Sequence, residues 1–206
     1  MSADPRLAAL LEHPAIWRGR SAAHTSGIST GYPSLDEQLP GGGWPRAGLI
    51  EILTPEPGSG ELRLLLPALA SLTRSHLARW SLLIAPPFEP FAPALRAAGI
   101  ALERLLIAQT DNPLWAMELA LRSAACEMAL AWIQRGAPRL LRRLQLASEQ
   151  GRALGVLLRG ARSARESSPA VLRLALEPTL NGVRLTLLKS RGGARGSFDI
   201  TWLCDE

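Results

Sequence analysis

The chain has 206 residues, 47% of them hydrophobic and 20% charged, a composition that suits one globular domain long enough to bury a sizeable core. Its apolar runs fall short of the roughly 20 residues a membrane helix needs, and MSADPRLAALLEHP lacks the basic-then-apolar layout of a secretory signal, so a cytoplasmic protein without membrane association is expected. The net charge is +5, carried almost wholly by arginine with Lys189 the sole lysine, while Cys126, Cys204, His13, His24 and His76 show no metal-ligand spacing and no disulfide framework, so no metal is expected.

A short amphipathic helix is predicted from Pro5 to Glu12, and the stretch His13 to Pro45, rich in Gly, Pro and Ser, reads as an irregular lead-in. Strand-like runs follow at Leu49 to Leu53, Trp80 to Ala85, Leu105 to Ala108, Met128 to Ile133 and Ala153 to Leu158, with helical patterns between them. One such pattern, Asn112 to Ala124, has apolar residues at helical spacing and Asp111 or Asn112 as a cap. This alternation predicts an α/β fold with a mostly parallel sheet flanked by helices. The chain then changes character: Val171 to Leu176, Val183 to Leu188 and Ser197 to Trp202 have no helix between them, and Asn181-Gly182 is a hairpin signal, so a C-terminal antiparallel meander is expected.

The stretch TPEPGSGEL, Thr54 to Leu62, lies between the first strand and a helical run, where a phosphate loop would sit. Such a loop cradles phosphates with backbone N–H groups and a helix N-terminus, and adds a lysine and a Ser/Thr hydroxyl for the terminal phosphate and Mg²⁺. Glu61 and Leu62 hold those two places here. A carboxylate repels a triphosphate at close range and leucine offers a metal no oxygen, so Thr54, Pro55, Gly58, Gly60, Glu61 and Leu62 form a degenerate loop for which no cofactor is expected. Ser34 with Asp36 suggests a nucleophile and a carboxylate, but no G-x-S-x-G elbow surrounds it and a structural turn is the better reading. Trp17 and Trp44 stand in the irregular segment, where partner contact and self-packing are both open readings.

Basic residues gather late, in RLLRRLQ, RGARSARESS and LLKSRGGARG. They read either as a solvated face or as a face that tracks phosphates; no aromatic residues interleave with them as a stacking surface would require.

GISTGYPSLDEQLPGGGWPRAGLIEIL, with Ser29-Thr30-Gly31, Ser34-Leu35-Asp36, Gly41 to Gly43, Pro45 and Gly48, resembles the entry into the ATPase core of RecA, and LERLLIAQTDNPLWAMELA resembles a later segment of it. The resemblance implies a RecA-like P-loop NTPase-type core over residues 27–206, preceded by an arm over residues 1–26. It also exposes three departures. Lysine and hydroxyl are missing from the loop, Pro87 lies near the place of the catalytic glutamate with Glu89 displaced, and the strand CEMALAWIQRG ends without an aspartate. Three losses together imply a fold kept after ATP hydrolysis was lost.

RecA-like chains of this length without a working nucleotide site resemble the ImuA group and the SulA group, and the long lead-in with the STG-x-x-SLD block is more similar to ImuA. That resemblance implies a non-enzymatic accessory role in SOS-induced translesion synthesis, bridging ImuB and RecA, with single-stranded DNA as a further partner. The alternatives are a SulA-like inhibitor that binds FtsZ, or a divergent ATPase using Glu89. By the same resemblance Leu7, Leu10, Leu11, Ile16 and Trp17 of the arm would dock on a RecA-like partner. Arg159, Arg162, Arg165, Arg191 and Arg195, on loops that face DNA in RecA, would contact the phosphate backbone.

Overall fold

A computed structural model describes residues 27–76, 79–190 and 196–202. One sheet of eight strands runs through the chain: β1 (Gly48–Thr54), β2 (Trp80–Ile84), β3 (Leu105–Ala108), β4 (Cys126–Trp132), β5 (Leu154–Gly160), β6 (Leu172–Thr179), β7 (Gly182–Ser190) and β8 (Ser197–Thr201). Their order across the sheet is β3-β2-β4-β5-β1-β6-β7-β8. All pairings from β3 to β6 are parallel, and β6-β7-β8 pair antiparallel, so the expected α/β sheet with its terminal meander is observed.

The central strands are buried on both faces because helices cover both. Every residue of β1 is buried. Ile50 and Ile52 point to one side, into a cluster with Leu64, Leu65 and Leu69 of α2 (Glu61–Thr73). Leu49 points to the other, into a cluster with Met117 and Leu121 of α4 (Pro113–Arg122) and Leu141 and Leu144 of α5 (Pro138–Gly151). This two-sided burial is why the strands read as continuous apolar runs rather than alternating ones. Two shorter helices are also present, α1 (Pro33–Asp36) and α3 (Ala92–Ala97). The Asn112 side chain caps α4 as the sequence suggests, its Oδ1 accepting from the Trp115 N–H at 3.3 Å.

The lead-in is ordered by its own polar contacts. Asp36 gathers Ser29 and Thr30: the Ser29 hydroxyl donates to one carboxylate oxygen (2.8 Å) and the Thr30 N–H to the other (2.9 Å). Asp36 therefore serves a turn, as expected, and its partner is Ser29 rather than Ser34. Ile28 and Trp44 form an antiparallel bridge, and Trp44 is fully buried in the core. Of the two readings open for Trp44, self-packing is the one observed. The hairpin is displaced by one residue from the Asn-Gly signal: Thr179 pairs with Gly182, which leaves Leu180 and Asn181 as the connection. Gly182 is required by its other neighbour, since a Cβ there would stand 1.8 Å from the Ile200 carbonyl oxygen on β8.

The predicted helix Pro5 to Glu12, and with it Leu7, Leu10, Leu11, Ile16 and Trp17, lies outside the described residues, as do Arg191 and Arg195.

Candidate functional site

In parallel α/β sheets, ligands collect where strands end and helices begin. Here the loop Pro55–Gly60 leaves β1 at that edge and feeds α2, with Gly58 (φ 88°) and Gly60 (φ 104°) in the left-handed region that suits glycine. A Cβ on Gly60 would also meet Val183 and Trp202, each at 3.1 Å, so the loop is clamped against the meander.

Glu61, which the sequence reading sets where a phosphate loop would carry lysine, does not project into solvent. It is only 3% exposed, and its carboxylate folds back into the loop. The Gly58 N–H donates to Oε1 at 2.8 Å and the indole N–H of Trp132 donates to the same oxygen at 3.3 Å. An N–H group of the kind that would hold a phosphate is thus spent on an internal anion. Trp132 ends β4, the strand that lacks an aspartate, so two of the three departures seen in sequence are joined by one hydrogen bond. Glu61 Oε2 is buried and has no hydrogen-bond partner among the described residues. Leu62 packs against the apolar core, and Thr54 is buried at the end of β1.

Around this loop lies a groove of 670 Å³. The Glu61 side chain and Trp132 form one part of its lining, and Phe88, Phe91, Leu180 and Trp202 the apolar remainder. Phe88 and Phe91 are 67% and 70% exposed, and Leu180 at the hairpin tip is fully exposed. Pro87 and Glu89 are exposed here beside Phe88, in the segment after β2. Arg63 lies 5.0 Å over the Trp202 ring and Tyr32 stacks on the same ring at a tilt, 5.8 Å between centroids. Burial pushes the Tyr32 phenol above its ordinary range, opposed by the Arg63 charge. Glu56 and Glu89 on the groove wall are exposed and have no ion-pair partner among the described residues.

The basic residues divide sharply. Arg159 is a core residue, and its expected place on a DNA-facing loop is corrected by its partners. Its side chain is 0% exposed, and its guanidinium bonds Glu51 Oε1 at 3.1 Å and Glu166 Oε2 at 2.7 Å. Arg173 bonds the other oxygen of Glu51 at 2.7 Å and also donates to the carbonyls of Glu166 and Ser163, while the Ser168 hydroxyl donates to Glu51 Oε1. A cation buried between two carboxylates is out of reach of a phosphate backbone, even with its Nε left unbonded among the described residues. This network pins the segment Ala161–Ser168 to the sheet. Arg162 and Arg165 of that segment are exposed, and a second groove beside it is lined by Pro138, Arg139, Arg142 and Ser167 to Pro169.

Reasoning from sequence missed Trp132 as the partner of Glu61, and it missed the Glu51 network and the exposed Phe88, Phe91 and Leu180. Glu51 did carry a signal, a carboxylate within the apolar run GLIEILT that must find a cation if both faces are covered. Among the described residues there is no cluster of three or more metal-ligating side chains, and no helix long and apolar enough to cross a membrane.

No protein-family model matches the chain. It is 35% identical over 104 residues to the protein RecA of Picosynechococcus, an alignment covering 49% of this chain and 29% of RecA. It is 33% identical over 101 residues to the cell division inhibitor SulA of Pseudomonas aeruginosa, covering 48% of this chain and 63% of SulA. The crystal structure of the Pseudomonas SulA aligns over 53% of this chain and 96% of that one, with 32% identity and a TM-score of 0.46. The chain is therefore related in sequence to RecA and SulA over about half its length, and it spans less than two thirds of either curated relative.

Proposed function

We propose that the chain is a non-enzymatic accessory protein of the DNA-damage (SOS) response, built on a RecA-like NTPase core whose nucleotide site is closed by its own side chain. The observation that carries this reading is the Glu61 carboxylate inside the loop, bonded to Gly58 and Trp132. A triphosphate would have to displace an anion, break both bonds and then do without lysine, hydroxyl and acidic metal ligand. The strand order supports the core assignment: β5 stands between β1, which bears the loop, and β4. Similarity to RecA and SulA sets the cellular context.

Within that context the ImuA-like reading has the protein bridge ImuB and RecA during translesion synthesis. The arm over residues 1–26 would supply one contact. A second reading, inhibition of division through FtsZ, is favoured by the 63% coverage of SulA. Parallel co-purification of the full chain with ImuB, RecA and FtsZ separates them: retention of ImuB and RecA supports the first, retention of FtsZ alone the second. Deleting residues 1–24 should abolish RecA retention if the arm docks there. Isothermal calorimetry should detect no micromolar ATP binding, and Glu61→Lys with Leu62→Thr should not restore hydrolysis, because the remaining carboxylates are still missing. Micromolar ATP affinity or turnover in the native chain would overturn the non-enzymatic reading.

A further inference from the structure

The geometry points to the groove beside the closed loop as a docking site for a partner polypeptide segment in which a Lys or Arg is set among apolar residues. This rests on the reading of the loop as a site that no longer takes nucleotide.

Three observations converge on that chemistry. The first is the unpartnered acceptor. Glu61 is 97% buried within the groove lining, one carboxylate oxygen bonded twice and the other bonded to nothing among the described residues. That oxygen is sealed from solvent, so a docked cation meets it only as the Glu61 side chain turns toward the groove; the turn is favoured because an unpaired buried carboxylate oxygen is costly and a cation or N–H donor satisfies it. The second is the apolar wall. Phe88, Phe91 and Leu180 are exposed together around one concavity that also includes Trp202, whereas isolated exposed apolar residues would call for no account. The third is charge. Glu56 and Glu89 stand on the groove wall with no cation paired to them among the described residues, while Arg63 is engaged over Trp202. Acidic groups around an apolar wall with a buried carboxylate complement an apolar segment bearing positive charge and disfavour a phosphate-bearing ligand. A glutamate where a phosphate loop would carry lysine thus selects a ligand of the opposite sign.

The test begins with a random-peptide phage library selected on the immobilised full chain, followed by anisotropy titration of the selected peptides in synthetic, labelled form. Selected peptides should carry Lys or Arg flanked by Leu, Met or aromatic residues. Glu61→Gln is the informative variant, because its amide oxygen can still accept from Gly58 and Trp132 while the other position becomes an NH₂ donor. Retention of the Trp132 indole N–H resonance position would confirm that the loop is intact. Binding should weaken roughly tenfold or more, as expected for a lost charge-assisted hydrogen bond. Norleucine in place of the peptide Lys should weaken binding to the native chain by a similar factor and have little further effect on Glu61→Gln. Phe88→Ser with Phe91→Ser, both exposed positions, should abolish binding without lowering the melting temperature.

The proposal is overturned if the library yields no binder, if the selected peptides lack basic residues, or if they bind both variants as well as the native chain. Titration with ATP–Mg²⁺ keeps the two levels apart. ATP that binds at micromolar concentration and displaces peptide refutes the closed-loop reading itself, whereas failure of both ATP and peptide to bind refutes only the docking site.

Discussion

Replacing Glu51 by alanine tests the deepest electrostatic feature of the fold. The Glu51 side chain is 0% exposed and its two oxygens accept from Arg159 at 3.1 Å, Ser168 at 2.8 Å and Arg173 at 2.7 Å. Removing it leaves one guanidinium wholly buried and a second nearly so. Arg159 keeps only Glu166, itself half-exposed, and Arg173 keeps the carbonyls of Ser163 and Glu166. Breaking a buried pair from one side costs about 3–5 kcal/mol, and because two cations lose their counter-ion the upper half of that range is expected. At roughly 2–4 °C per kcal/mol for a chain of this size, the melting temperature should fall by roughly 8–20 °C. Urea unfolding followed by tryptophan fluorescence provides the free energy. Asp199→Asn, which breaks the exposed Arg184–Asp199 pair, serves as the comparison and should lie within experimental scatter. The triple replacement Glu51→Leu, Arg159→Met and Arg173→Met should recover most of the loss, since desolvation of three charged groups is removed together. A Glu51→Ala unfolding free energy within about 1 kcal/mol of the native one would refute the assignment of these groups as a buried network.

Cys126 is buried, and burial pushes its thiol up to about 12, with Arg79 opposing. In a Cys204→Ser background the native protein should therefore resist thiol reagents at pH 8 and react only on unfolding. Because the folded thiol holds its proton to higher pH than the unfolded one, this group favours the folded state fully below the unfolded pKa of about 8.5. That contribution should decline as pH rises from there toward 12, measurable as a falling denaturation midpoint that Cys126→Ala flattens. Gly151→Ala should lower stability by about 1–3 kcal/mol, because its Cβ would stand 1.8 Å from the Leu121 carbonyl oxygen and force α5 away from α4; an unchanged melting curve would show that this contact relaxes freely. Arg139, Arg142, Arg162 and Arg165 are exposed around the segment after β5, and their joint replacement by alanine should remove any salt-sensitive binding of labelled single-stranded DNA. Equal binding by native and substituted chains would exclude this face, and Arg159 is left out of the set because it is buried.

The strands and the meander were legible because their signals are local: apolar runs of strand length, helical spacing between them, and a turn. The strand order was not, and it decides what the charged residues do. Glu51 and Arg173 are 122 positions apart in sequence and become paired neighbours only because β6 lies beside β1. Arg159 reaches Glu51 because β5 flanks β1 on the other side, with Leu157 opposite Glu51 and Arg159 two residues on, on the same face. Read along the chain, Arg159 opens a cationic, Ser-rich stretch and looks like a loop residue. Read across the sheet, it is the counter-ion of a buried carboxylate. The loop after β1 shows the same limit. Sequence singled out the carboxylate of Glu61 and expected it to repel a phosphate, which describes a side chain facing a ligand. The fold turns it inward because Trp132, 71 residues away, offers a donor at the end of β4.

The two grooves lie on different helix-covered faces, and this bears on whether one chain can hold two ligands at once. The groove beside the closed loop is bounded by the start of α2, which packs on the sheet face that carries Ile50 and Ile52. The arginine-lined groove is bounded by α5, which packs on the opposite face with Leu49 and Leu157. They share no lining residue. A peptide seated on Phe88 and Phe91 would therefore leave Arg139 and Arg142 uncovered, and a single strand tracking those arginines would leave Phe88 and Phe91 uncovered. Independent sites predict that saturating peptide leaves the DNA titration unchanged in midpoint and salt slope, and that DNA leaves the peptide affinity unchanged, as reciprocity requires. A mutual shift of tenfold would mean that the faces are coupled, and the rigid link between them is then the sheet itself, through the β1–β5 pairing that joins the loop at Thr54 to the start of the Ala161–Arg165 segment at Gly160.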